Sequence, residues 1–457
     1  MIQEVILPPS VTLIFGRFSA PLRMYAEASS NLRRHMSSCC ASVMPTDRQT
    51  ATIERFCEKV LEVVEAENLW SKKDNITLLT LFRLFYWRDA TDVRDKVYAL
   101  LSLITDWGNG TAIPPDYTIS PNELYQEVVA KSIEISGSLG ILRYRFPQAF
   151  NRRHKETTNI QEGLRKVDKS SPEPVEIEIP SWADLENNHG IAYRKQTLEC
   201  INRAFIFDAS AGKPAPLYPL RHTCSPMLTK TRVLTVSVVH VGTVSRDGSF
   251  TAILVSKTSA INVSKFPLPA KPRDLLDKPY VTGGNEYDAL WRTLCADSFF
   301  VGQESSTDAV DGTSMFRRAT QEDLKAIQVW RRWIEQFGDG RSVRPAPSPK
   351  DPSSAGEDAL IASADRAIRS AVTVRRHFKT DTKYMGLAAA GTMPGDEVYV
   401  LLGSNTPFAL RSLGEAAVEG LGDRRCYRVI GECYVHGIMD GELIKQPNAQ
   451  VQELCLI

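Results

Sequence analysis

The stretches PGDEVYVLLG (residues 394–403) and YRVIGECYVHGIMDGE (residues 427–442) decide the fold of the C-terminal part of this 457-residue chain. Each is a run of β-branched, aromatic and other apolar residues with glycines near both ends, which is typical of buried strands bounded by turns. They predict a β-rich segment over residues 384–445. Further strands are predicted over Ala204–Asp208 and over Arg232–Val244, where the alternation of apolar residues is imperfect.

The N-terminal part has helical periodicity instead. Apolar residues at helical spacing predict helices over about 50–68 and 75–87, and another from Asp92 onward. A short strand over Val11–Gly16 precedes a helix that is expected to start at Ser19–Pro21, with the proline in its first turn.

A capping box marks the start of one more helix. Ser120 and Glu123 have the Ser-x-x-Glu spacing in which each side chain bonds the other residue's backbone N–H, and Pro121 lies between them at the first helical position. Gly137 is expected to end this helix.

Composition along the chain predicts three regions. Residues 1–145 are expected to be helical, residues 146–180 to be a linker or exposed loop without apolar periodicity, and residues 181–457 to be a mixed α/β region. Within the last region, helices are predicted over about 285–300 and 319–337, and a flexible loop over 340–356. The expected fold class is α+β, with a helical N-terminal half and a β-rich, partly barrel-like C-terminal half.

The net charge, the hydropathy and the cysteine spacing indicate which partners and which cellular location to expect. The 55 basic and 54 acidic residues leave a net charge of +1, which predicts attraction neither to nucleic acid nor to a membrane surface. No run approaches the roughly 18–20 apolar residues of a membrane span, and the N-terminus lacks the features of a signal peptide. The nine cysteines are dispersed and include no Cys-x-x-Cys pair, which favours reduced thiols and a cytoplasmic location.

The motifs predict no catalytic residue, no cofactor-binding residue and no metal ligand. The histidines and cysteines lack the paired spacing of a zinc site. Cys433 and His436 are three apart in a strand-like run, where their side chains would face opposite sides of a sheet. Gly283-Gly284 is more simply interpreted as the start of a helix than as an anion cradle. Arg94 is expected to reach a buried carboxylate and tie its helix to a neighbouring element rather than to bind a ligand.

Several segments, in their order along the chain, resemble fungal heterokaryon incompatibility (HET) domain proteins. Residues 88–101 resemble the family block ATDPRDKVYALLGL, with Val93 in place of its proline, and Ser102 follows where the family has glycine. The other matching segments are Gln3-Glu4, Pro115–Tyr117, Ser136–Leu139, Pro180–Trp182, Phe207–Ser210, Trp291–Leu294 and the two runs quoted above.

The resemblance covers the region downstream of the HET domain. The early HET blocks of the ALSYxWG and WIDxxCINQ kind have no counterpart, so the chain is expected to be a HET protein with most of its HET domain missing, through truncation or a misplaced start codon. The HET domain resembles TIR-type domains, which implies an effector that acts on nicotinamide cofactors. Of its catalytic groups the resemblance carries over only Glu4, and weakly.

The leading interpretation is a non-enzymatic recognition or regulatory region that serves fungal self/non-self discrimination and programmed cell death. Its expected partner is a protein of the incompatibility system, bound through surface loops such as 145–175 and 340–356. Two alternatives stay open. One is a residual NAD-consuming or nucleotide-binding enzyme of TIR-like type, which needs a pocket near Glu4 or Arg94. The other is an inert truncated remnant.

Overall fold

The computed structural model of the chain describes residues 2–36, 47–72, 75–85, 88, 90–108, 111–144, 181, 194–224, 232–245, 251–252, 273–301, 315–337, 355–373 and 375–457. The chain divides into two compact units, Met1–Leu124 and Tyr125–Ile457, and the division falls inside one helix.

Helices occur in both units. They are α1 (Ile2–Ile6), α2 (Leu22–Met36), α3 (Asp47–Lys72), α4 (Leu78–Phe85), α5 (Asp95–Tyr98), α6 (Pro121–Ser136), α7 (Arg194–Ala204), α8 (Arg273–Leu276), α9 (Glu286–Leu294), α10 (Asp323–Phe337) and α11 (Ala355–Val372), with 3₁₀ turns at Leu101–Leu103 and Gly140–Tyr144. None of the helices within the described residues is both long and apolar enough to cross a membrane.

Strands are concentrated in the second unit. They are β1 (Thr12–Phe15), β2 (Phe18–Pro21), β3 (Arg221–His222), β4 (Arg232–Thr243), β5 (Thr251–Ala252), β6 (Ser298–Phe300), β7 (Phe316–Arg318), β8 (Arg375–Lys379), β9 (Met385–Ala389), β10 (Glu397–Leu401), β11 (Phe408–Val418), β12 (Gly422–Val435) and β13 (Val451–Leu456).

The long helix α3 provides much of the core of the first unit. Its residues Val60, Val63, Ala66 and Leu69 are all buried, and because they recur every three positions, the buried stripe winds around the helix. The hairpin β1–β2 also belongs to this unit, so the predicted helical region contains strands as well. Pro21 ends β2, and α2 begins only after it.

Two polar arrangements of the first unit bear on the predictions. Arg94 reaches no buried carboxylate; it pairs with Asp92, two residues away and partly exposed, at 2.7 Å, and it is linked to the following loop through the carbonyls of Tyr117 and Ile119. At the start of α6, the N–H of Ser120 donates to Glu123 at 2.9 Å. The N–H of Glu123 donates back to the Ser120 hydroxyl at 3.2 Å, which confirms the capping box.

A nine-stranded sheet organises the second unit. Strand β4 pairs antiparallel with β10 along one edge and with β13 along the other. Because β10 also pairs with β11, β11 with β12, and β12 with β13, the five strands form a closed circuit. Strand β4 is buried along nearly its whole length, which explains why its sequence does not alternate cleanly.

The strand pairings that close the circuit differ in length. The antiparallel pairing of β11 with β12 extends over ten residue pairs, whereas the parallel pairing of β12 with β13 consists of Cys426↔Cys455 and Tyr427↔Leu456. Ser181 joins the same two strands just beyond this ladder. Its hydroxyl donates to the carbonyl of Ile457 at 2.5 Å and accepts the N–H of Val429 at 2.9 Å.

Helices α9, α10 and α11 form a second hydrophobic layer with β9. Trp291 of α9 and Trp330 of α10 are the largest fully buried side chains there. The Trp330 indole N–H donates to Asp365 of α11 at 3.1 Å, so α10 and α11 are joined by a buried polar contact as well as by packing.

Two local predictions for this unit are wrong. Ala204–Asp208 is not a strand, because α7 ends at Ala204 and the N–H groups of Phe205 and Phe207 bond carbonyls three residues back. Its apolar run reflects burial of Phe207 in the helical core. The predicted helix over 285–300 ends at Leu294, because Ala296 and Asp297 have positive φ angles and lead into β6.

Other predictions lie wholly or mostly outside the described residues. The linker over 146–180 is one of these, so its boundaries stay a prediction. Most of the loop over 340–356 is another, and its end at Ala355 already belongs to α11. The sequence analysis missed α11 itself and β13.

Candidate functional site

A cavity of about 790 Å³ opens where β12 and β13 stop pairing. We call it the β12–β13 cavity. Its walls come from β4, β10, β12 and β13 and from the segment 443–450. This volume lies within the range of sites that hold small molecules or short peptide segments. The cavity is therefore the candidate functional site.

Strand β10 supplies two of the polar groups of the cavity. Successive side chains of a strand point to opposite faces, so Glu397 and Tyr399 share one face of β10. That face lines the cavity, while Val398 and Val400 on the other face belong to a buried hydrophobic cluster. The stretch that decides the fold thus also places an acid and a phenol in the cavity wall.

The carboxylate of Glu397 is the centre of a hydrogen-bonded group. The Tyr399 hydroxyl donates to Oε2 of Glu397 at 2.5 Å, and the Tyr427 hydroxyl of β12 lies 3.5 Å from the same oxygen. The two hydroxyls are 3.2 Å apart. Burial, and then the bond to Glu397, raise the pKa of Tyr399, so this phenol stays protonated and acts as a donor.

Two basic side chains border the same carboxylate. Nε2 of His240 lies 3.9 Å from Oε2 of Glu397, and the imidazole ring packs against Tyr399 with ring centroids 4.9 Å apart. Nη1 of Arg425 lies 3.6 Å from Oε1 of Glu397. Tyr427 and Glu397 raise the pKa of Arg425. Since the Arg425 side chain is 59% exposed, this ion pair is loose and can be displaced.

The arrangement is suited to binding. It offers a carboxylate acceptor, phenolic donors and a mobile guanidinium, and four amide side chains line the cavity mouth (Gln446, Asn448, Gln450 and Gln452). The Glu397 carboxylate is held by the two tyrosines and aims at no serine, threonine or cysteine among the residues that line the cavity.

A second polar cluster, the Asp297 network, lies in the helical layer. Asp297 is buried and accepts from Nη1 of Arg292 at 2.6 Å and from Nη2 of Arg318 at 2.6 Å. Arg318 also binds Asp440 at 2.6 Å, and its guanidinium lies over the ring of Phe207, 4.9 Å from the centroid. These contacts join segments that are far apart in sequence.

The loop after β12 packs beside the Asp297 network. The Tyr434 hydroxyl and Nδ1 of His436 are 3.0 Å apart, and the Tyr280 hydroxyl donates to the His436 carbonyl at 3.2 Å. Burial lowers the pKa of His436, and the carboxylates of Asp297 and Asp288 partly oppose that shift. The imidazole is therefore neutral near pH 7 and has a structural role here.

The structure also locates the residues that the sequence analysis weighed. Cys433 is buried, and burial raises its pKa, while His436 bonds Tyr434. Gly283-Gly284 leads into Asn285, whose side chain accepts the N–H of Asp288 and caps α9. Glu4 is exposed on α1. The described residues contain no group of three His, Cys, Asp or Glu side chains that could hold a metal ion.

Comparison with known proteins shows similarity to heterokaryon incompatibility proteins. The profile of the Het-6 β-barrel domain matches residues 268–454. The heterokaryon incompatibility protein 6, OR allele, of Neurospora crassa is 26% identical over 379 residues, which cover 77% of this chain and 49% of that protein. The chain is therefore similar to HET-type proteins. It spans about half the length of this curated relative. No solved structure matches it.

Several of the segments that resemble HET proteins converge in the structure. Phe207, Arg292 and Asp440 come from three of them, and all three contact the Asp297 network. Neither Asp297 nor Arg318 was predicted as a site residue, because no local sequence motif includes either of them. Glu397 lay within a quoted stretch, but only the pairing of the strands brings it beside Tyr427 and Arg425.

Proposed function

We propose that this HET-type chain is a recognition or regulatory region in fungal self/non-self discrimination, and that it works by binding rather than by catalysis. The observation that carries the proposal is the β12–β13 cavity, whose Glu397, Tyr399 and Tyr427 lie within the residues matched by the Het-6 β-barrel profile. Its polar groups satisfy one another in the free protein and can exchange those bonds for bonds to a partner.

The partner is proposed to be a protein of the incompatibility system, met in the cytoplasm, and its recognition is proposed to lead to programmed cell death. The name of the Neurospora relative supports the incompatibility role. The contacts of Arg94 support a structural role for this residue rather than a role in a nucleotide pocket, since Asp92 and two backbone carbonyls occupy its guanidinium.

Expression in fungal strains tests the proposal. The full chain is introduced into isolates with different incompatibility backgrounds, and growth and viability of the transformants are scored. We expect growth arrest in some backgrounds with the wild type, and a weaker response with Glu397→Gln. Glu415→Gln is the matched control, because Glu415 is an exposed residue of β11 outside the cavity.

Equal protein levels are confirmed by immunoblot. Absence of any background-dependent response with the wild-type chain would contradict the incompatibility role. The non-enzymatic part is tested separately by incubating the purified chain with NAD, and loss of NAD that scales with the amount of chain would contradict it.

A further inference from the structure

The β12–β13 cavity lies between two strand edges that face each other. On one side β12 presents Asp423–Arg425, and on the other β13 presents Val451–Glu453. Each strand is paired on its far side, β12 with β11 and β13 with β4. Both segments are described in full, and the ladder between them includes neither.

The hydrogen-bonding direction of these edges follows from the ladder. The N–H of Ile457 donates to the carbonyl of Tyr427 at 2.9 Å, so the backbone groups of these two residues point across the gap. Backbone groups alternate in direction along a strand. Those of Asp423 and Arg425 therefore point toward β13, and those of Val451 and Glu453 point toward β12.

A partner main chain in extended form complements both edges at once. Exposed edges bind added strands through their unpaired N–H and C=O groups, while pockets for alternate side chains give specificity. Three residues on each edge, at about 3.3 Å per residue, match a segment of roughly three to five residues.

The charges of the cavity select the side chain that such a segment carries. Three carboxylates line the cavity, and its basic lining residues are two arginines and a histidine (Glu397, Asp423 and Glu453; Arg424, Arg425 and His240). Arg425 lies 3.6 Å from Glu397, and because its side chain is 59% exposed, an incoming cation can displace it. An incoming lysine or arginine then pairs with Glu397 in place of Arg425, and the phenol of Tyr399 continues to donate to the same carboxylate.

We propose that the β12–β13 cavity binds an extended peptide segment of a partner protein, which inserts as a strand between β12 and β13 and places a basic side chain against Glu397. This inference rests on the proposed function, because it names the class of partner that the same site takes.

Peptide selection on the purified full chain tests the inference. A random nonapeptide library displayed on phage is selected against the immobilised chain, and enriched peptides are synthesised and measured by fluorescence polarisation. We expect enriched peptides to share a lysine or arginine. We expect Glu397→Gln to weaken their binding about tenfold, since a charge-assisted hydrogen bond is lost, and Glu415→Gln to leave it unchanged.

Backbone N-methylation of an enriched peptide distinguishes strand insertion from binding by side chains. A strand held on both edges uses the N–H groups of successive residues toward opposite sides, so methylation at either of two adjacent central positions should abolish binding. The Glu397→Gln variant keeps an acceptor oxygen for the Tyr399 hydroxyl and is therefore expected to fold. Thermal melting of this variant checks its folding.

Three results would overturn the inference: no peptide enriched above background, full tolerance of both N-methylations, or equal binding to the wild type and Glu397→Gln. The outcome is independent of the fungal assay. Peptide binding without any growth response would count against the incompatibility role alone, and a growth response without peptide binding would count against strand insertion alone.

Discussion

Cys426 of β12 stands directly opposite Cys455 of β13, in one of the two residue pairs that join these parallel strands. Both residues are buried in one hydrophobic cluster, together with residues of β4 and β11. The two thiols therefore mark the point where the circuit of five strands closes, next to the β12–β13 cavity. Because both thiols are buried there, their chemical reactivity reports whether the circuit is closed at this point.

The first prediction concerns thiol reactivity. Burial, and then the neighbouring Cys455, raise the pKa of Cys426 to about 12, whereas Cys224 is exposed. Since the thiolate is the nucleophile and Cys426 is also buried, Cys426 should react with iodoacetamide at pH 8 far more slowly than the exposed Cys224. Peptide mapping by mass spectrometry measures both rates in the native protein.

Two controls accompany this measurement. Cys224→Ser should remove the fast labelling of that peptide and leave the slow labelling of Cys426 unchanged, and urea should make both sites reactive. Rapid alkylation of Cys426 in the native protein would contradict closure of the strands at this ladder.

The second prediction concerns the Asp297 network. Asp297→Asn removes the buried charge that two arginines share, while Arg292 keeps Asp288 and Arg318 keeps Asp440 as partners. Because both guanidiniums stay paired, the expected loss of unfolding free energy is about 1–2 kcal/mol, below that of an uncompensated buried charge. Urea denaturation followed by tryptophan fluorescence reports the loss, because Trp291 and Trp330 lie in the same helical core.

Asp277→Asn is the matched control, because Asp277 is exposed just after α8. It should leave the urea midpoint nearly unchanged. Equal midpoints for the two variants would show that the Asp297 network contributes little to stability.

The third prediction concerns pH. Burial lowers the pKa of His436, so between the folded and the unfolded pKa the unfolded state binds the proton and the native state does not. This contribution to stability is present above about pH 6.5 and is lost as the pH falls through the folded pKa. We expect His436→Gln to reduce the fall in unfolding free energy between pH 7 and pH 5.

The measurement is a series of urea titrations across that pH range. His222→Gln provides the comparison, because His222 is a partly exposed residue of the short strand β3. A pH profile of His436→Gln identical to that of the wild type would contradict burial of a neutral imidazole.

The fourth prediction compares two glycines with similar backbone angles. Gly403 has φ +88° and a Cβ there would lie 2.5 Å from the backbone nitrogen of Ala215, whereas Gly414 has φ +94° and open space around it. Alanine pays the left-handed backbone cost of about 1–2 kcal/mol at either position. Gly403→Ala adds a clash with backbone, so it should lower the melting temperature clearly more than Gly414→Ala. Similar losses for the two variants would place Gly403 and Ala215 farther apart.

Local conformation was largely predictable where a short-range cause exists. The capping box at Ser120 and Glu123 depends on residues three apart, and the structure contains both of its hydrogen bonds. The strands β10 and β12 follow from apolar runs with glycines near their ends, and β4 follows from a run rich in valine. The apolar run at Ala204–Asp208 was predicted to be a strand, but it is the end of a helix and the turn that follows. A buried helix end and a buried strand can have the same apolar composition, so the sequence does not distinguish them.

By itself the sequence determined which segments with clear apolar periodicity form helices and which form strands. It also determined the resemblance to HET proteins, since both depend on residues that are close together in the chain. Only the tertiary structure decided which strands pair, and so brought Glu397 of β10 within reach of Tyr427 and Arg425 of β12. It also placed Asp440 on Arg318, 122 residues away. The physical reason is that hydrophobic periodicity fixes the buried face of each element, while register and packing of distant elements decide which polar groups meet.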